Sequence, residues 1–142
     1  MKRLSFLLSF LLISFLSVAQ AKYVFFFIGD GMGPNQVLLA EMYQAAIQGV
    51  NGRVPLLMSQ FPYSGQAATF SASDGITDSA AAGTCLASGE KTNNGVIGQT
   101  PGGKPVYSVA SKLFKEGWGI GIMSTVPVDH ATPASHYAHA QK

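Results

Sequence analysis

The sequence predicts an α/β fold, part of a mostly parallel sheet with helices on both faces. Three observations predict it. Lys22–Ile28 is a continuous run of β-branched and aromatic residues, the pattern of a strand buried on both faces rather than an alternating edge strand. Val106–Glu116 sets Val106, Val109, Ala110, Leu113 and Phe114 on one helical face, and Gly117 follows where a left-handed C-terminal cap belongs. Between these, strand-like and helix-like segments alternate and strand ends are rich in glycine, which argues for helices layered on a sheet. In such sheets ligands bind at the carboxyl ends of the strands.

Composition narrows the class. A chain of 142 residues is one small domain. With 11% charged and 47% hydrophobic residues it is neither a disordered segment nor a charge-rich nucleic-acid-binding tail. One cysteine, Cys85, excludes an internal disulfide framework and a cysteine-based zinc site. Sixteen glycines without a period exclude collagen.

Residues 1–21 read as a secretory signal peptide: a basic Met1-Lys2-Arg3, an apolar stretch over Leu4–Val18, and an Ala19-Gln20-Ala21 cleavage site. A membrane anchor fits less well, because the apolar run is short of about 18 residues and no basic flank follows. The expectation is a periplasmic or secreted protein with no membrane span after cleavage. Removing residues 1–21 takes Lys2 and Arg3 with it. Of the nine Lys and Arg, seven then remain against seven Asp and Glu, so the basic pI belongs to the leader and gives no nucleic-acid-binding signal.

The elements follow in order. Strand Lys22–Ile28 runs into the Gly29–Gly33 turn. Pro34 suits a helix start, and a helix is predicted over Gln36–Gln48, ending at Gly49. Val50–Gly65 reads as loop and Gln66–Ser71 as a second strand. Asp78–Ser88 reads as a helix of small residues closed by Gly89. Lys91–Lys104 reads as a glycine- and asparagine-rich loop, Val106–Glu116 as the amphipathic helix, Trp118–Thr125 as a third strand, and Thr132–Ala140 as the start of another helix.

Three clusters carry chemistry. In Ile28-Gly-Asp-Gly-Met-Gly33, Pro34 breaks the G-x-G-x-x-G spacing of a dinucleotide site. What remains is Asp30 between two glycines at a strand end, either a close-approach ligand for a metal or phosphate or a turn aspartate bonding its own backbone. In Thr77-Asp-Ser-Ala-Ala-Ala-Gly-Thr84, Ser79 opens a helix whose N-terminus favours an anion. The plain alternative there is an N-cap made by Asp or Ser. In Val128-Asp-His-Ala-Thr-Pro-Ala134, Asp129, His130 and Thr132 are metal-ligand types in one short loop, while Thr132 before Pro133 also fits a helix cap. His136 and His139, three apart on the predicted helix, read as metal ligands or, more simply, as solvated or core histidines.

Taken together, Phe27-Ile-Gly-Asp-Gly-Met-Gly33, Phe61-Pro-Tyr-Ser-Gly65, Thr77-Asp-Ser-Ala-Ala-Ala-Gly-Thr84 and His130-Ala-Thr-Pro-Ala134 resemble the alkaline phosphatase family, in the family's order and over nearly all of residues 22–142. The resemblance implies metal-dependent hydrolysis of phosphate monoesters through a phosphoserine, with two Zn2+ and one Mg2+. It implies that Ser79 is the nucleophile and touches the second zinc, that Asp30 bridges that zinc and the magnesium, and that the Thr132 hydroxyl serves the magnesium. Asp78 would orient an arginine that clamps two phosphate oxygens. His130 stands where the enteric bacterial enzymes carry aspartate and the animal enzymes histidine; it is assigned beside the magnesium's ligands rather than on the ion. A homodimer is compatible with the resemblance.

Family members run to several hundred residues. The clamping arginine would fall just beyond Lys142, and the remaining metal ligands further on. Residues 22–142 are therefore expected to be the N-terminal part of an alkaline phosphatase-like catalytic domain, with an incomplete sheet, inactive in isolation. The competing readings are an inactive truncated product or secreted binding module, and a phosphodiesterase or sulfatase of the same superfamily. The latter use a threonine or a modified Cys or Ser in other local sequences, against Asp78-Ser79-Ala-Ala-Ala-Gly-Thr84. A serine acyl-hydrolase would need a Gly-x-Ser-x-Gly elbow, which Ser79 lacks.

Overall fold

A computed structural model describes residues 21–141. The expected signal peptide therefore lies, but for Ala21, outside the described residues. The elements are α1 (Pro34–Ile47), a short 3-10 turn (Leu57–Gln60), α2 (Ser79–Ser88), β1 (Val96–Ile97), α3 (Val109–Lys115), α4 (Ala131–Ala134) and β2 (Ala140–Gln141). Among the described residues no helix is long and apolar enough to cross a membrane.

Helix α2 is the hub. It packs on α4, β1 and α3. Its small side chains make this close packing attainable: Ala80, Ala81 and Ala87 are buried, and Ala80 meets Ile97 and Ala134, with Ala131 and Ala138 against them. The helix ends where local chemistry directs. The Asp78 carboxylate accepts the Ala81 N–H at 2.8 Å, and Gly89 takes φ +81°, a left-handed cap that costs glycine no Cβ clash. β1 pairs antiparallel with β2, Val96 opposite Gln141 and Ile97 opposite Ala140. Gly98, at φ +61°, makes room for this return, since a Cβ there would collide with the Ala138 carbonyl.

Helix α1 begins at Pro34, two residues earlier than predicted. Proline there needs no N–H partner, and the Gln36 side chain accepts the Gly33 N–H at 3.0 Å. Helix α3 begins later than predicted, because Ser108 caps it by accepting the Ser111 N–H while Val106 N–H is already committed to the Gly98 carbonyl.

Three expected strands are corrected. Lys22–Ile28, Gln66–Ser71 and Trp118–Thr125 join no ladder among the described residues, and the sheet observed is a two-stranded antiparallel one rather than parallel. A strand of a parallel sheet is held by neighbours distant in sequence, and its apolar run is an offer of burial, not its fulfilment. Here Phe27 is 86% and Met123 96% exposed. The first and third of these segments instead face a shared cavity of about 840 Å³, which Leu113 of α3 also lines. The helix predicted over Thr132–Ala140 is corrected too. It is the single turn α4, because the chain must leave the helix to pair Ala140 with Ile97.

The Val50–Gly65 segment conceals a clasp. Glu41 of α1 is 1% exposed; its carboxylate accepts from Arg53 Nη1 at 3.1 Å and from the Leu56 N–H at 3.1 Å. A Ser59 side-chain hydrogen bond, then the Leu56 N–H, hold its pKa below the ordinary 4.5, against the opposing effect of burial and with help from the Arg53 charge. A lowered native pKa means that the unfolded chain binds more protons in acid. The clasp therefore stabilises fully above about pH 4.5 and fades as pH falls through the lower native value. Glu41→Gln is expected to unfold more easily than the unaltered protein at pH 7, with the gap closing below pH 4.5; urea titrations across pH check this. An equal gap at every pH would show that the carboxylate's charge plays no part.

Candidate active site

The Gly29–Gly33 turn is closed by its own backbone: the Met32 N–H donates to the Gly29 carbonyl at 3.1 Å, and Gly31 adopts φ +70°. The Asp30 side chain is therefore free for other partners, and it takes two. Ser79 Oγ lies 2.9 Å from its Oδ2 and 3.2 Å from its Oδ1, and Thr132 Oγ1 donates to Oδ2 at 2.7 Å. Of the two sequence readings of Asp30, the turn aspartate that bonds its own backbone is not what forms. The Thr132 hydroxyl, then the Ser79 hydroxyl, lower the Asp30 pKa; burial opposes them and the His130 charge assists.

Each partner arrives on a different element. Ser79 is the first residue of α2 and Thr132 sits in α4. The two helices approach closely because Gly83 has no side chain: a Cβ there would lie 2.7 Å from Ser135 Oγ and 3.6 Å from Thr132 Cα. Ser135 Oγ in turn donates to the Thr132 carbonyl at 2.8 Å, which steadies the single turn that carries Thr132.

Asp78, not Ser79, is the N-cap. Its Oδ1 accepts the Ala81 N–H, and its Oδ2 accepts the Gly95 N–H at 2.7 Å. Each carboxylate oxygen retains a lone pair beyond these bonds. His130 is the N-cap residue of α4 without a side-chain cap bond, near enough for its charge to act on Asp30. The two further histidines do not converge. His136 Nδ1 lies 3.2 Å from Ser135 Oγ and from the Thr132 carbonyl, whereas His139 Nδ1 reaches the Gly98 carbonyl and its ring packs edge-on against Tyr107. The expected i, i+3 pair is lost with the helix that would have aligned it.

The cluster is therefore one ionised carboxylate with two hydroxyls each hydrogen-bonded to it, beside the positive end of a ten-residue helix. Hard oxygen donors of this kind suit a cation such as magnesium. A zinc site asks for nitrogen, sulfur or more carboxylates, and among the described residues no group of three or more His, Cys, Asp or Glu side chains comes together. The residues present thus fit part of a cation's ligand set. Sequence reasoning missed Glu41, Ser135 and Asn94, whose roles depend on partners elsewhere in the fold. The Asn-Gly pair at Asn94 signalled a turn, but not what the asparagine side chain meets.

The known proteins this chain resembles are alkaline phosphatases. The alkaline phosphatase family model matches residues 21–142. The tissue-nonspecific alkaline phosphatase of Gallus gallus is 35% identical over 131 residues, 84% of this chain and 25% of that protein. The cold-active alkaline phosphatase of a psychrophilic Shewanella superposes with a TM-score of 0.72 at 32% identity, over 80% of this chain and 29% of that one. A variant of the alkaline phosphatase of the Antarctic bacterium TAB5, solved with magnesium bound, superposes with a TM-score of 0.57 at 26% identity, over 80% of this chain and 30% of that one. The chain spans about a quarter of the length of the curated relatives it matches. On the family match and these likenesses, the chain belongs to the alkaline phosphatase family.

Proposed function

We propose that the protein carrying this chain hydrolyses phosphate monoesters, with Ser79 as the nucleophile. One observation carries the proposal: Ser79 and Thr132, from separate helices, both point their hydroxyls at Asp30. Ser79 Oγ attacks phosphorus, the bond from phosphorus to the ester oxygen breaks, and the alcohol leaves with a proton. Water then attacks the phosphoserine, restoring the Ser79 hydroxyl and releasing inorganic phosphate. Asp30 aligns the hydroxyl; kept ionised by its two donors, it accepts a hydrogen bond but is too weak a base to retain a proton. The N-terminal dipole of α2 favours the negative phosphoryl group at Ser79.

Two Zn2+ and one Mg2+ complete this reading. Asp30 would bridge one zinc and the magnesium, Thr132 would serve the magnesium and Ser79 the zinc, with His130 beside the magnesium's ligands. The cations supply activation of the serine and neutralisation of charge on the transferring group. The magnesium bound in the TAB5 variant supports the magnesium of this reading. The free lone pairs of Asp78 support its role in orienting a phosphate-clamping arginine. The leader-like first 21 residues support export to the periplasm or exterior. A homodimer fits the same family reading.

The test is covalent trapping. The purified protein, incubated with a radiolabelled phosphate monoester and quenched in acid, is expected to hold label on the peptide containing Ser79. Label on another residue, or turnover without any label, would overturn the assignment.

A further inference from the structure

We propose that Asn94 is a positioning residue for the Ser79 hydroxyl, an inference that rests on Ser79 being the nucleophile. Its side-chain amide straddles Thr77 in the strand of chain that leads into α2. Asn94 Nδ2 donates to the Ile76 carbonyl at 3.0 Å, and Asn94 Oδ1 accepts the Asp78 N–H at 3.1 Å. One planar amide thereby pins the backbone on both sides of Thr77, and the next residue after the pinned Asp78 is Ser79. The neighbouring Gly95 adds a third tie, its N–H donating to Asp78 Oδ2 at 2.7 Å.

The clamp is useful only if its base is rigid, and it is. Asn93–Val96 form a turn closed by the Val96 N–H on the Asn93 carbonyl at 3.1 Å, with Gly95 at φ +80°. β1 begins at once after this turn and is bound back to the body of α2: Gly98 N–H donates to Thr84 Oγ1 at 2.9 Å, and Thr84 is fully buried. The turn therefore takes its position from the middle of the nucleophile helix and returns it to that helix's first residue. A second strap keeps the base in place without touching residues 76–78. Ser73 Oγ accepts the Asn94 N–H at 3.0 Å, and the Ala72 N–H donates to the Thr92 carbonyl at 2.8 Å.

The consequence is geometric. Ser79 Oγ must meet both Asp30 and the incoming phosphorus, and attack tolerates little misplacement; an error of about 1 Å costs about a hundredfold in rate. Asp78 fixes the first turn internally through the Ala81 N–H, but that bond moves with the helix. The Asn94 amide ties the backbone just before Ser79 to a turn outside the helix, which is itself strapped to the Ala72–Ser73 segment.

The experiment compares Asn94→Ala, Asn94→Asp and Ser73→Ala in the whole purified protein, by rapid-quench phosphorylation of Ser79 together with metal content and melting temperature. Asn94→Ala is expected to slow phosphorylation about ten- to a hundredfold per labelled site, with unchanged metal content. Asn94→Asp keeps an acceptor for the Asp78 N–H and loses the donor to Ile76, so it is expected to fall between Asn94→Ala and the unaltered protein. Ser73→Ala removes one bond to the same loop but leaves the Asn94 amide, the Thr84 tie and the Ala72–Thr92 bond that keep the base in place, so it is expected to label near the unaltered rate. If Asn94→Ala does not accumulate folded, Asn94→Asp decides: slowed labelling with full metal content supports the clamp, and an unaltered rate overturns it. Equal slowing in Ser73→Ala would assign the effect to the loop and overturn the role of the amide. Absence of label in the unaltered protein would overturn the nucleophile reading and this inference together, whereas normal labelling in both Asn94 variants would overturn this inference alone.

Discussion

Ser79→Ala in the whole protein is expected to abolish acid-stable phosphoenzyme and to lower kcat/KM by about a thousandfold or more. The substitution removes one oxygen from the first residue of α2, and that oxygen's partner is Asp30, not the helix backbone. The N-cap bond belongs to Asp78, so the fold should change little, by about 0.5 kcal/mol or less. Activity and stability therefore separate. A serine that served only the helix end would show the reverse, a lowered melting temperature with turnover intact. Some rate should survive, since water can attack bound ester directly. Turnover at the unaltered rate with label still forming would remove Ser79 from the mechanism.

Asp30→Asn is expected to cost both the cations that its carboxylate would bridge. The change is nearly isosteric, and the turn around it should persist because the Met32 N–H bond to the Gly29 carbonyl does not involve the side chain. The amide oxygen, placed where Oδ2 stands, can still accept from both Ser79 and Thr132, but it carries no charge and is a weak bridge between cations. In the metal-free protein the loss should be ~1 kcal/mol or less. In the loaded protein, metal analysis should show magnesium and about one zinc lost per chain, with turnover gone. Full metal content with normal turnover would reduce Asp30 to a partner of two hydroxyls and remove the main support for the metal reading.

Local chemistry was legible in the sequence wherever the deciding partners lie within a few residues. Asp78 before a run of small residues and Gly89 after it bound α2, because a cap bond spans three residues and a left-handed position excludes most side chains. Pro34 at a helix start and Gly117 after α3, at φ +89°, follow the same logic. Asp30, Ser79 and Thr132 stood out for a related reason: glycines flank the first, tiny residues follow the second, and a proline follows the third, each leaving a polar group accessible.

Tertiary structure alone decided how those groups meet. Asp30 lies 49 residues from Ser79 and 102 from Thr132, and no local pattern encodes that all three share hydrogen bonds. The same distance hid the other determinants. Gly83 looked like one more small residue until α4 was found against it, and Asn94 was one residue of a loop until its amide was found across Ile76 and Asp78. Distance also explains the corrected elements. Lys22–Ile28 and Trp118–Thr125 have the composition of buried strands, yet a ladder needs a neighbour, and an apolar run cannot specify one. His136 and His139 parted because Ala140 pairs with Ile97, a contact across 43 residues that ends the helix before its period can align them. Caps and turns are settled by bonds the chain makes with itself nearby, whereas a site is made by contacts between segments that only the folded chain brings together.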